Sequence, residues 1–103
     1  MFQKSSCGTC KKEKEYLTKA NIRVDEIDIV SDPPPREFLE EHIDAGNLDA
    51  FINKHSRAYR AFNLANRSVE KSELIELMLK DPNLIKRPII VDGKKVYFGY
   101  TEI

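Results

Sequence analysis

The only thiols in the chain, Cys7 and Cys10, lie three positions apart in Ser5-Ser6-Cys7-Gly8-Thr9-Cys10, directly before a run that reads as a helix. A C-x-x-C pair at the mouth of a helix suits thiol chemistry. The first sulfur meets backbone N–H groups that the helix leaves unpaired and the positive end of its dipole, and both favour thiolate over thiol. Cys7 is therefore the candidate nucleophile. Cys10, one turn later on the same face, is placed to attack a mixed disulfide on Cys7 and release the product. Gly8 leaves room for an incoming group, and the Thr9 hydroxyl can bond within the first turn.

Two other uses of the pair stay open. A structural disulfide would close a loop too short to restrict the unfolded chain much, and no further cysteines suggest a secreted framework. A zinc site would need two more ligands, and the only histidines, His42 and His55, stand far off without metal-type spacing. Thiol redox or nucleophilic chemistry is the stronger expectation, with no metal.

Met1-Phe2-Gln3 is a short first strand. Cys10, Tyr16, Leu17 and Ala20 form the apolar side of an amphipathic helix from Thr9 to Ala20, with Lys11, Lys12, Glu13, Lys14 and Glu15 as its polar residues and an end near Asn21. Val24, Ile27 and Ile29 alternate with acids as a second strand running to Val30, which completes a unit of parallel βαβ length. Pro33-Pro34-Pro35 stops that strand and suits a helix start. Phe38, Leu39, His42 and Ile43 follow at helical spacing, then a short helix through Leu48, Phe51 and Ile52. The clearest helix runs from Ser72 to Lys80, capped by Ser68 or Ser72, with Leu74, Ile75, Leu77, Met78 and Leu79 as core. Ile89-Ile90-Val91 reads as a fully buried strand, Asp92-Gly93 as a hairpin turn, and Lys95 to Phe98 as its antiparallel return. Gly99 to Ile103 looks like the entry to a last helix.

These elements sum to an α/β, thioredoxin-like (glutaredoxin-type) fold: a four-stranded mixed sheet in a single domain, 1–103, with an inserted helical subdomain at about 35–82. Pro88 then starts the third strand facing the cysteine loop. A cis Arg87–Pro88 bond would aim Arg87 at the thiols, although a trans bond is the commoner state for any proline.

The 103 residues carry 17 basic and 17 acidic side chains, so no global field draws in nucleic acid or an anionic membrane. No apolar run approaches the ~20 residues of a membrane span, and no signal-peptide pattern precedes the cysteines, so a cytoplasmic location is expected. Lys54, Arg57 and Arg60 make a small basic patch, read as a solvated face. His42 and His55 read as surface or partly packed, and Tyr59 and Tyr100 as aromatics at the core edge.

Cys7-Gly8-Thr9-Cys10 with its Lys-rich helix, Ile85-Lys86-Arg87-Pro88-Ile89-Ile90-Val91-Asp92-Gly93, and Val96-Tyr97-Phe98-Gly99-Tyr100 together resemble the ArsC/Spx family of thioredoxin-fold proteins over nearly the whole chain. That family holds glutaredoxin-linked arsenate reductases and Spx-type redox-sensing regulators of RNA polymerase. The resemblance implies Cys7 as nucleophile, Cys10 as resolving thiol, Arg87 as stabiliser of thiolate and oxyanion, and Gly8, Thr9, Arg87 and Pro88 as substrate-binding residues. It implies no bound cofactor, and an external thiol reductant, glutathione/glutaredoxin or thioredoxin. The expected partners are a small oxyanion or disulfide substrate and a thiol-redox protein, for a monomer that binds neither nucleic acid nor membrane. An Spx-like regulator would add contact with RNA polymerase. Asn53 and Gly99 fall where the glutaredoxin-linked reductases carry two of the three arginines that clasp arsenate, with Lys54, His55, Arg57 and Arg60 as neighbouring substitutes.

Overall fold

The computed structural model describes residues 1–103. Four strands form one mixed sheet in the order β2-β1-β3-β4, with β1 Phe2–Gln3, β2 Ile27–Asp28, β3 Ile89–Asp92 and β4 Lys95–Phe98. β1 runs parallel to β2, pairing Phe2 with Ile27, and antiparallel to β3, pairing Phe2 with Ile89. The thioredoxin-like α/β reading of the sequence holds.

Period-two alternation divides the core between two faces. Ile89, Phe98, Val96 and Phe2 point into a cluster with Leu39 of α2 (Arg36–His42) and Leu74, Ile75 and Met78 of α4 (Lys71–Lys80). Ile90 and Tyr97 point the other way, onto Leu17 and Tyr16 of α1 (Gly8–Lys19). A third helix, α3 (Arg57–Ala61), and 3₁₀ turns at Leu48–Phe51, Leu64–Asn66 and Pro82–Leu84 complete the region between β2 and β3. Fully burying one such Leu or Ile contributes about 1.5–3 kcal/mol, so the helices bracketing the sheet fix the cysteine loop at its edge.

α1 ends in a Schellman motif. Ile22 N–H donates to Leu17 O at 2.8 Å and Asn21 N–H to Thr18 O at 3.1 Å, with Asn21 left-handed at φ 62°. Several sequence expectations are corrected here. Glu13, placed by the pattern among the polar residues of its helix, is fully buried, because its side of α1 is covered by the segment after β4: Thr101 N–H donates to its Oε1 at 2.7 Å. The second strand shrinks to Ile27–Asp28, since Asp28 Oδ1 turns back to accept the Val30 and Ser31 amides and ends the ladder. Neither Ser68 nor Ser72 caps α4; Glu70 holds that position without a side-chain bond. Val91 is 46% exposed where a buried strand was expected. Asp92 pairs with Lys95, so the hairpin loop is Gly93-Lys94, with Gly93 at φ 60° supplying the positive angle at the first loop position. Residues 99–103 form no helix.

Candidate functional site

Cys7 is the N-cap of α1, in extended conformation at φ −87°, ψ 118°. Its sulfur accepts the Cys10 amide at 3.3 Å, in the place where a Ser or Asp oxygen commonly caps a helix, and its carbonyl accepts the Lys11 amide at 3.1 Å. The N-terminus of the helix therefore solvates the sulfur directly. Cys7 is partly exposed, whereas Cys10 is only 2% exposed. Both are free thiols.

The two sulfurs differ in acidity for identifiable reasons. Burial pushes the Cys7 thiol up, but it is outweighed by hydrogen bonds from the Cys10 thiol and amide and by the hydrogen bonding and charge of the Arg87 guanidinium, so the net displacement is downward. Cys10 is pushed up to about 12, first by burial and then by its thiol's hydrogen bond to Cys7 and the negative charge there, against a smaller pull from the Lys4 amide and Arg87. One sulfur is tuned to ionise; the other stays a thiol while its neighbour is charged.

Arg87 reaches this place from the far end of the chain. The Arg87–Pro88 peptide is cis, and Pro88 O accepts the Gly99 amide at 2.8 Å. An open cleft of about 680 Å³ is lined by Cys7, Gly8 and Thr9 on one side, Arg87 and Lys86 on another, and the Asn53–Ser56 loop and Tyr100 around the rest. That loop is registered against Arg87 by backbone pairing: Asn53 N–H donates to Leu84 O at 2.8 Å and Lys86 N–H to Phe51 O at 2.9 Å, flanking an antiparallel bridge between Ile52 and Ile85. Ser56, buried, donates to Asn53 O at 2.7 Å and caps α3 by accepting the Tyr59 amide at 3.1 Å. Its hydroxyl thus fixes both ends of the loop.

The structure brings Cys7, Gly8, Thr9 and Arg87 onto one cleft, with Cys10 buried behind Cys7. Pro88 is not part of the cleft wall. Space beside Gly8 is empty: a Cβ there would meet no atom within 4 Å, so the fold itself does not demand glycine. Thr9 is exposed and takes no part in the side-chain hydrogen bonds of the turn. Asn53 and Gly99 do lie in the cleft wall, with Lys54 and His55, while Arg57 and Arg60 do not. Lys54 pairs with Asp49 at 3.4 Å. His42 packs against Phe38 in a tilted contact, ring centroids 4.6 Å apart and planes at 58°, and does not line the thiol cleft. No group of His, Cys, Asp and Glu is arranged to hold a metal.

Sequence pattern did not single out Lys4, Asn83, Lys86 or the buried Glu13. Lys86 was visible only as part of the Lys-Arg-Pro run. The contacts of Lys4 and Asn83 join positions 79 residues apart, which no local periodicity reports.

A four-stranded mixed sheet, with Cys7 capping α1, Cys10 one turn further on and Arg87 arriving from the start of β3, is a thioredoxin-like arrangement. The ArsC family model matches residues 2–102, and the chain belongs to that family. It is 37% identical over 100 residues to the uncharacterized protein YusI of Bacillus subtilis strain 168, covering 93% of this chain and 85% of the relative. It is 31% identical to the global transcriptional regulator Spx of Streptococcus pneumoniae R6, covering 99% and 78%. A solved structure described as a possible arsenate reductase from Streptococcus mutans UA159 superposes with a TM-score of 0.84 at 29% identity, covering 96% and 87%. No helix is long and apolar enough to cross a membrane.

Proposed function

We propose that this ArsC-family chain is a thiol-dependent reductase in which Cys7 is the nucleophile, Cys10 the resolving thiol and Arg87 the stabiliser of negative charge. The observation that carries this reading is the division between the sulfurs: Cys7 is partly exposed, with the Cys10 amide on it at 3.3 Å, while Cys10 is buried and its thiol is held high. With a disulfide substrate, the Cys7 thiolate attacks one sulfur, forms a mixed disulfide and expels the other as thiolate. Cys10 then loses its proton and attacks the Cys7 sulfur, giving the Cys7–Cys10 disulfide and the second substrate thiol. The step is feasible because two of the influences that hold Cys10 high, the hydrogen bond to Cys7 and the charge on it, vanish once that sulfur is bonded to substrate. An external thiol reductant, either two thiols of the glutaredoxin/glutathione system or the dithiol of a thioredoxin, then reduces the intrachain disulfide and is itself oxidised to a disulfide. An oxyanion substrate would bind Cys7 in the same cleft, where the guanidinium fork of Arg87 suits tetrahedral oxygens.

The experiment is NADPH oxidation with arsenate or a small disulfide, coupled in turn to glutaredoxin with glutathione and to thioredoxin. Turnover that disappears in Cys7→Ser supports the reading, and absence of turnover in every combination overturns it. The similarity to Spx supports a second reading, a redox-sensing regulator that contacts RNA polymerase and uses the same cysteine pair as sensor. Capture of polymerase in only one redox state, without turnover, would favour it.

A further inference from the structure

The strand-entry arginine is held by a junction that the proposed chemistry does not itself use. Arg87 Nη1 donates to Asn83 Oδ1 at 3.2 Å, and Arg87 Nε is buried without a hydrogen-bond partner. The same Asn83 oxygen accepts Lys4 Nζ at 3.2 Å. Lys4 opens the cysteine loop, and its carbonyl accepts the Cys7 amide at 3.0 Å. Asn83 is oriented from its other side by Asp81, whose Oδ1 accepts both the Asn83 backbone N–H and the Nδ2 amide at 3.1 Å. Asn53 Nδ2 adds a bond to the Asn83 carbonyl at 3.2 Å, linking the junction to the opposite cleft wall.

The donors and acceptors settle which way the amide points. Because Nδ2 is committed to the Asp81 carboxylate, Oδ1 must face the two cations. A neutral acceptor is also the chemically apt one here. A carboxylate at the same point could not donate to Asp81 and would be repelled by it, and it would cancel much of the positive potential that Arg87 creates beside Cys7.

We propose that Asn83 is a positioning residue that fixes the Arg87 guanidinium in the Cys7 cleft through the Nη1–Oδ1 bond. The proposal rests on the reading that Arg87 acts on Cys7. Asn83 touches neither sulfur in this arrangement; its effect travels through the guanidinium.

The test is the pH midpoint of Cys7 ionisation in the full chain, followed by ultraviolet thiolate absorbance and by residue-resolved alkylation. Wild type, Asn83→Leu, Arg87→Ala and the double variant are compared, with helical circular dichroism confirming the fold. Asn83→Leu is expected to raise the midpoint by about half a pH unit, roughly a threefold loss of thiolate below the midpoint. The double variant is expected to match Arg87→Ala alone, since the amide acts through the guanidinium. A raised midpoint in Arg87→Ala with none in Asn83→Leu would overturn the role of Asn83 and leave Arg87 standing. Additive effects in the double variant would also overturn it, and no effect of Arg87→Ala would remove both readings. Asn83→Ser carries the same expectation if the leucine variant loses its helical signal.

Discussion

Lys86 fills the space that any side chain at residue 99 would need: a Cβ built on Gly99 would lie 2.9 Å from Lys86 Cε. Gly99 also sits at φ +93°, a region that L-residues rarely adopt, and it binds back to the sheet through its amide on Pro88 O at 2.8 Å. Lys86 therefore lies along the cleft wall at the point where a larger residue would exclude it. Gly99→Ala is predicted to cost about 1–3 kcal/mol of stability from backbone strain, with the lysine tail displaced as well. Urea denaturation checks the first part. A fall in reactivity toward anionic disulfides, with neutral ones unaffected, checks the second.

The two cysteines should fail differently. Cys10→Ser is expected to keep an attacking Cys7 and to accumulate a mixed disulfide with glutathione disulfide, seen as a mass increase that does not decay. Wild type treated the same way should end as the intrachain disulfide, and Cys7→Ser should form neither adduct at appreciable rate. A Cys7→Ser variant that still accumulates adduct on Cys10 would reverse the assigned roles.

Much of this arrangement was legible in the sequence, because it depends on local chemistry. The C-x-x-C before a polar-apolar helix marked the mouth of α1, the β-branched Ile89-Ile90 run marked a buried strand, and Arg87-Pro88 marked its entry. Less legible was whatever depends on contacts between distant segments. Glu13 reads as one more charge on a Lys/Glu-rich helix, and only the placement of Thr101 against α1 buries it. Lys4 and Asn83 look like ordinary loop residues until the fold sets them 3.2 Å apart. The second strand was mis-sized for a local reason instead: the Asp28 side chain accepts the Val30 and Ser31 amides and ends the pairing at Ile27–Asp28, although the apolar pattern runs on to Val30.

Glu13 gives the chain a pH signature. Its folded pKa is raised by burial, against the Thr101 amide that lowers it, with Glu102 adding to the rise; Oε2 is buried without a partner. A carboxyl with a raised folded pKa is bound to its proton more tightly in the native state. Its stabilisation is present in full below the unfolded glutamate value and is lost as pH rises through the higher folded value. Unfolding free energy should accordingly fall over that window in wild type, and Glu13→Gln should flatten that fall. An unchanged pH slope in the variant would remove Glu13 as its source.

Ser56 should link stability to cleft geometry. Loss of its cap on Tyr59 and its bond to Asn53 O in Ser56→Ala is expected to cost about 1–2 kcal/mol. Because the same hydroxyl closes the Asn53–Ser56 loop, the variant should also show faster amide exchange at Asn53 and Ser56, whose amides bond Leu84 O and Asn53 O. Thermal unfolding and hydrogen exchange together check both effects.

The claim on which the rest depends is that the first amides of α1 and the Arg87 guanidinium hold Cys7 below the ordinary thiol range. Its most direct measurement is the pH dependence of Cys7 alkylation in wild type and Arg87→Ala, read residue by residue by mass spectrometry. The predicted result is a wild-type midpoint below the usual cysteine value of about 8.5 that moves upward when the guanidinium is removed. An ordinary midpoint in wild type, unmoved by Arg87→Ala, would contradict it.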